Sequence, residues 1–285
     1  MLTNPPSLIS VEELMRLADQ SHLVLLDCRF DLADTEAGRQ AYAMGHIPRA
    51  RYAHLDEDLS GKVVPGVTGR HPLPSVAGIS ARLSSWGIDR NMDVVAYDKA
   101  TGPFAARCWW VLRWLGHQRV RVLDGGFNAY RDAGMPIGTE EPEVTPAVFV
   151  PDVQEDMVVD TNQVAAMSSD ETRCLIDSRS PERFRGEIEP IDPVAGHIPG
   201  AVNLDFAGSL AGDGRLRPVS ELKSRFESAW AGRSAGDVAF YCGSGVTAAM
   251  NVLAANQAGL GMPRLYPGSW SEWITDKDRG VATGD

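Results

Sequence analysis

The chain has 285 residues, 44% of them hydrophobic and 23% charged, and 27 basic against 38 acidic side chains give a net charge of −11. That length exceeds one comfortable core and fits two domains, and the composition is that of a folded globular protein rather than a disordered one. An acidic excess without any Lys/Arg run excludes nucleic acid and anionic membrane surfaces as partners, so an anionic substrate needs locally placed cations. The start, Met1-Leu-Thr-Asn-Pro-Pro, lacks the basic and apolar regions of a signal peptide. The most apolar helical stretch, around Cys108 to Leu115, is interrupted by Arg113 and is too short to span a bilayer. A cytoplasmic, monomeric protein is expected. The four cysteines, at 28, 108, 174 and 242, have neither zinc nor Cys-x-x-Cys spacing. They read as reduced thiols, with no metal and no cofactor.

In chain order, Ser10-Val-Glu-Glu13 is a capping box that opens the first helix. Leu23-Val-Leu-Leu-Asp27 reads as a buried strand and runs into Cys28-Arg29; its echo is Cys174-Leu-Ile-Asp177-Ser-Arg179, offset by 150. Gly45-His-Ile-Pro returns as Gly196-His-Ile-Pro at an offset of 151. The strand Asp93-Val-Val-Ala-Tyr-Asp98 returns as Asp237-Val-Ala-Phe-Tyr-Cys242, and Asp124-Gly-Gly-Phe as Pro267-Gly-Ser-Trp. Four blocks in one order with drifting offsets mean a duplication with loop insertions. Each copy alternates β-branched runs with helical patterns, the sign of an α/β domain with a parallel sheet flanked by helices. The copies are placed at 1–138 and 157–285. Between them a proline-rich, acidic linker covers 139–156, and Asp160 caps the first helix of the second copy.

The copies differ at one decisive position. Asp98 ends the strand in the first, and Cys242 ends it in the second, followed by Gly243-Ser244-Gly245-Val246-Thr247 and an Ala-rich helix. A cysteine between a parallel strand and a helix N-terminus stands where α/β sheets bind ligands. Backbone N–H groups of the loop and the helix dipole favour its thiolate, which makes it a nucleophile. Ser244 is read as a hydroxyl that polarises a carbonyl or stabilises an enolate oxygen.

This duplicated pattern and the Cys-Gly-Ser-Gly-Val-Thr loop resemble the tandem-domain rhodanese family of sulfurtransferases. Among its branches the loop is most similar to the 3-mercaptopyruvate sulfurtransferases; thiosulfate-using members carry basic residues after the cysteine. The resemblance implies two rhodanese-like domains, the first inactive, with which Asp98 at its nucleophile position agrees, and the second catalytic, moving sulfur from a small anionic donor through a Cys242 persulfide. The acceptor would be a thiol, such as thioredoxin or a small thiol, or cyanide. It further implies a relay of Asp56, His71 and Ser244, with His71 expected as an exposed acid–base group. Arg185 matches the arginine that holds the donor carboxylate, and Gly243, Gly245, Val246 and Thr247 cradle the sulfur. The second arginine that this branch often carries after Glu-Pro is absent, because Glu189-Pro190 leads into Ile191; Arg183 is either a replacement or a solvated surface residue.

The remaining matches read as structural. Asp27 with Arg29 and Asp177 with Arg179 pair at strand ends, and His46 and His197 steady turns. Cys28, Cys108 and Cys174 are inert core thiols, and Trp109, Trp110, Trp114, Trp270 and Trp273 are packing aromatics. Rival chemistries fail on specific residues. A cysteine phosphatase needs Arg where Ala248 stands, and a Gly-x-Ser-x-Gly hydrolase needs Gly where Cys242 stands. The alternatives that remain are a thiosulfate:cyanide sulfurtransferase and a persulfide-carrying module without turnover.

Overall fold

The computed structural model describes residues 6–285. It divides into two compact units. The first takes residues up to Gly61, then Pro74–Gln154 and Gly212–Leu216; the second takes Lys62–Leu73, Glu155–Ala211 and Arg217–Asp285.

The first unit runs β1 (Leu8–Ile9), α1 (Val11–Leu17), β2 (Leu23–Asp27), α2 (Ala37–Met44), β3 (Ala50–Tyr52), α3 (Val76–Ser85), β4 (Asp93–Tyr97), α4 (Pro103–Trp114), β5 (Val120–Leu123) and α5 (Gly126–Asp132). Its five strands form one parallel sheet in the order β1-β5-β4-β2-β3. The capping box forms as read: Ser10 Oγ accepts the Glu13 N–H while a Glu13 carboxylate oxygen accepts the Ser10 N–H. Every residue of β2 is buried, as expected of a strand covered on both faces. The core gathers Ile9, Leu14, Leu25, Val95, Tyr97 and Leu123. The segment expected as a linker has no regular strand or helix from Gly138 to Gln154 apart from a bridge between His46 and Gly138. It is laid along the first unit, where Ala147, Asp152 and Gln154 N–H groups donate to Ser84, Leu115 and Trp114 carbonyls.

The second unit contains α6 (Thr161–Met167), β6 (Cys174–Asp177), α7 (Pro181–Phe184), β7 (Val202–Asn203), α8 (Val219–Trp230), β8 (Val238–Tyr241), α9 (Thr247–Gln257), β9 (Arg264–Leu265) and α10 (Ser269–Trp273). Its parallel sheet has the order β7-β6-β8-β9, and Val158 adds a parallel bridge to Leu265, so the strand order of the first unit is repeated. Asp160 closes a capping box with Gln163. Val159, Leu175, Ala239, Tyr241, Trp270 and Trp273 share its core, in keeping with the packing role read for the two tryptophans. Trp109, Trp110 and Trp114 are buried in α4 of the first unit. Among the described residues, no helix is long and apolar enough to cross a membrane.

Candidate active site

Both units build the same frame at the carboxyl ends of their central strands. In the second, Arg179 Nη2 meets Asp177 Oδ2 at 2.6 Å and the Gly196 carbonyl at 2.7 Å, with both side chains buried. The Arg179 guanidinium also lies 5.0 Å from the Trp270 ring centroid. The first unit repeats this with Arg29, Asp27 and the Gly45 carbonyl, at the same two distances. The histidines of the Gly-His-Ile-Pro turns are structural too. His46 stacks on Tyr42 and contacts its carbonyl oxygen at 2.8 Å, and His197 does the same with Phe184 at 2.7 Å. Buried charges that are paired and hydrogen-bonded in this way fix strand ends and turns, and leave the loop above them to carry chemistry.

Cys242 follows β8 directly. Its carbonyl accepts the Trp270 N–H and that of Gly243 accepts the Ser271 N–H, which pins the loop to the start of α10. Its own N–H donates to Ser269 Oγ at 3.1 Å. Ser269 has φ +56°, a backbone state that costs a non-glycine residue about 1–2 kcal/mol. The equivalent residue of the first unit, Gly126, has φ +59° and no hydroxyl to offer. Gly245 has φ +75°, and a Cβ there would stand 2.4 Å from the Pro267 carbonyl oxygen, so only glycine fits. With the loop so folded, the Gly245 N–H donates to Cys242 Sγ at 3.2 Å. Val246 caps α9 and Thr247 is its first residue, so the sulfur sits before a helix N-terminus.

All four cysteines are buried, so burial does not single out Cys242. Hydrogen bonding does. Cys28 and Cys174 donate their S–H to carbonyl oxygens, of Leu26 and Ala229, each at 3.7 Å. Burial also pushes both thiols above the usual range, with Cys108 beside Cys28 adding to the rise there. Cys242 accepts instead of donating.

Ser244 Oγ and His71 Nδ1 lie 2.7 Å apart, within hydrogen-bond distance. His71 is not the exposed group expected, however; it is 8% exposed. The reason is that Lys62–Leu73 belongs to the second unit's packing, with Gly69 close against the Gly268 carbonyl and the Arg70 N–H donating to Ser271 Oγ. Asp56 belongs to the first unit, where its N–H donates to His54 Nδ1; partial burial raises its carboxyl above the ordinary value, against the pull of His54.

Arg185 is placed differently from its expected role. Its guanidinium pairs with Glu187 through Nε–Oε1 and Nη2–Oε2 contacts of 2.8 and 2.9 Å on an exposed edge. Arg183, two residues earlier, is the one set against the loop. A Cβ at Gly243 would lie 3.5 Å from Arg183 Nη2 and 2.8 Å from Arg70 Nη2. Arg183 is held by Glu189, at 3.1 Å through Nε and 2.7 Å through Nη2, and by Asp192 at 3.4 Å. Arg70 pairs with the other oxygen of Asp192. Thus the loop itself carries no cation, but two guanidinium groups reach it from elsewhere in the chain. Helical spacing explains why Arg183 and Arg185 diverge: residues two apart on a turn do not share a face. Arg70, Asp192 and Ser269 escaped the sequence reading; the available signals were Arg70 standing beside His71 and Asp192 following Glu189-Pro190.

A family model, the rhodanese-like domain, matches residues 10–133 and again 160–276. A Pseudomonas aeruginosa protein named as a probable 3-mercaptopyruvate sulfurtransferase is 45% identical over 98% of both chains. A Mycobacterium tuberculosis protein named "Putative thiosulfate sulfurtransferase SseB" is 40% identical over 91% of this chain and 90% of its own. The crystal structure of Escherichia coli SseA, titled as a 3-mercaptopyruvate sulfotransferase with the rhodanese fold, is 28% identical and superposes with a TM-score of 0.81, covering 94% of this chain and all of that one. Duplicated sheets, the cysteine loop and these likenesses agree: the chain belongs to the rhodanese-like sulfurtransferase family, with two rhodanese-like domains in tandem.

Proposed function

We propose that the protein transfers sulfur from 3-mercaptopyruvate, with Cys242 as the nucleophile of the second domain and the first domain, carrying Asp98, non-catalytic. The Cys242 thiolate attacks the donor's sulfur, and an S–S bond forms as the donor's C–S bond breaks. The electron pair of that bond passes to carbon as the enolate of pyruvate, which takes up a proton; the products are a Cys242 persulfide and pyruvate. Ser244 polarises the donor carbonyl and His71 moves the proton, a contribution worth about 10²–10⁴-fold. Backbone N–H groups of Gly243, Gly245, Val246 and Thr247 receive the terminal sulfur. A small thiol, a thioredoxin-type dithiol or cyanide then removes it, in the cytoplasm and with the protein as a monomer.

The observation that carries this reading is the 2.7 Å bond between Ser244 and His71 beside the cysteine. A hydroxyl held in that position suits a donor with a carbonyl to polarise, a group that thiosulfate lacks. Arg183, set against Gly243, supports a place for the donor's carboxylate better than Arg185, which is turned toward Glu187. The test is kcat/KM for 3-mercaptopyruvate and thiosulfate side by side with cyanide as acceptor. The expected ratio favours 3-mercaptopyruvate by about 10²-fold, equivalent to the loss of one such donor group. A ratio favouring thiosulfate would overturn the choice of donor, and the guanidinium groups at the loop are what such a result would rest on.

A further inference from the structure

We infer that Arg70 is a specificity-determining residue that, together with Arg183, grips the carboxylate of the sulfur donor. This rests on the donor proposed above and goes beyond it by naming a residue no comparison assigns. Consecutive residues of one segment serve consecutive residues of the loop: Arg70 Nη2 stands against Gly243, and His71 Nδ1 bonds Ser244. A donor whose sulfur meets Cys242 and whose carbonyl meets Ser244 places its carboxylate one atom beyond that carbonyl. Two guanidiniums, those of Arg70 and Arg183, stand against Gly243, the residue between Cys242 and Ser244.

The two are held as a pair. Asp192, whose side chain is 3% exposed, takes Arg70 on one oxygen and Arg183 on the other, and Glu189 takes Arg183 a second time. Glu189 also accepts from Arg179 at 3.2 Å, and Arg179 is bound to Asp177. Three arginines thus meet three carboxylates, so the network is balanced and does not attract anions through net charge. What it supplies is direction. Guanidinium N–H groups fixed from behind by carboxylates are preorganised donors, and planar forks recognise a carboxylate better than a mobile point charge does. Gly243 keeps the approach open, because a side chain there would run into Arg70 at 2.8 Å. Arg70 thereby fills the gap left by Ile191, whose exposed side chain has no donor to offer.

The experiment compares the full-length protein with Arg70→Ala, Arg70→Lys and Arg185→Ala. Three readouts are taken: kcat and KM for 3-mercaptopyruvate, turnover of mercaptoacetone, which keeps thiol and carbonyl but has no carboxylate, and calorimetric binding of pyruvate. Arg70→Ala should raise the 3-mercaptopyruvate KM about tenfold or more with kcat changed less than about threefold, and weaken pyruvate binding by a similar factor. Turnover of mercaptoacetone should stay unchanged, Arg70→Lys should recover part of the KM, and Arg185→Ala should behave as wild type. Equal losses on both donors would mean that Arg70 acts only by placing His71, and would overturn the inference, as would unchanged pyruvate binding in Arg70→Ala or none in wild type. Wild type that binds pyruvate through Arg70 yet does not turn over 3-mercaptopyruvate would sink the proposed donor while leaving the carboxylate grip standing.

Discussion

The two units carry one scaffold and two different occupants. After β4 the first unit places Asp98, and after β8 the second places Cys242, each five residues before the first residue of the following helix. The carbonyls behave identically: that of Asp98 accepts the Phe127 N–H, and that of Cys242 accepts the Trp270 N–H. The side chains do not. Asp98 fills its own loop, its two oxygens accepting the N–H groups of Lys99 at 2.7 Å and Phe104 at 3.1 Å. The Asp98 carboxyl thereby spends both oxygens on its own turn. Cys242 in the same place accepts the Gly245 N–H through its sulfur. The difference teaches that one strand–loop–helix frame accommodates either a carboxyl turned onto its own loop or a thiol that accepts from it, so the side chain set there is what tells the copies apart.

The comparison breaks most sharply by substitution at the two positions. Cys242→Ser should reduce sulfur transfer to less than about one thousandth of wild type, as loss of a covalent nucleophile does, while Asp98→Asn should leave turnover within about twofold because nothing reacts there. Comparable losses from both would mean that the first unit takes part in catalysis. Ser244→Ala is the next largest. It should lower kcat with 3-mercaptopyruvate by about 10²-fold and leave thiosulfate turnover nearly unaltered. Equal loss with both donors would make Ser244 a support for the cysteine and not for a carbonyl.

A smaller effect sharpens the first unit's side of the comparison. Burial raises the Asp98 carboxyl to about 7, against the pull of the Lys99 and Phe104 N–H groups. The folded protein therefore binds this proton more tightly than the unfolded chain, where the carboxyl titrates near the usual value of about 4. Its contribution to stability is complete below pH 4 and is lost as pH rises through 7. Asp98→Asn should match wild type in urea unfolding near pH 4 and become the more stable protein by pH 8. A gap between the two that stays constant from pH 4 to pH 8 would show that Asp98 is ionised throughout.

Much of this was legible in the residues because duplication writes each structural element twice. The Asp–Arg pairs, the Gly-His-Ile-Pro turns and the capping boxes of Ser10 and Asp160 rest on local geometry, and local geometry repeats with local sequence. Cys242 was legible as the one place where a repeated strand ends in a different chemistry. The positions that misled or escaped are those set by contacts distant in sequence. His71 is buried because residues 62–73 pack with the second unit, which no spacing within its own loop reveals. Arg183 and Arg185 differ only in which face of a short helical turn they occupy, and the motif match pointed to Arg185, leaving Arg183 as a replacement or a surface residue. Arg70 gains its place through Ser271 and Asp192, 201 and 122 residues away. Ser269 took the left-handed backbone where the first copy has a glycine, and its hydroxyl now holds the Cys242 N–H.

The most direct test of the central claim is intact-mass analysis of the protein after one equivalent of 3-mercaptopyruvate and no acceptor. The account predicts one added sulfur atom, mapped by peptide analysis to Cys242, stoichiometric release of pyruvate, no addition in Cys242→Ser, and loss of the sulfur when cyanide is supplied. Sulfur mapped to Cys28, Cys108 or Cys174, or pyruvate released without any sulfur on the protein, would contradict it.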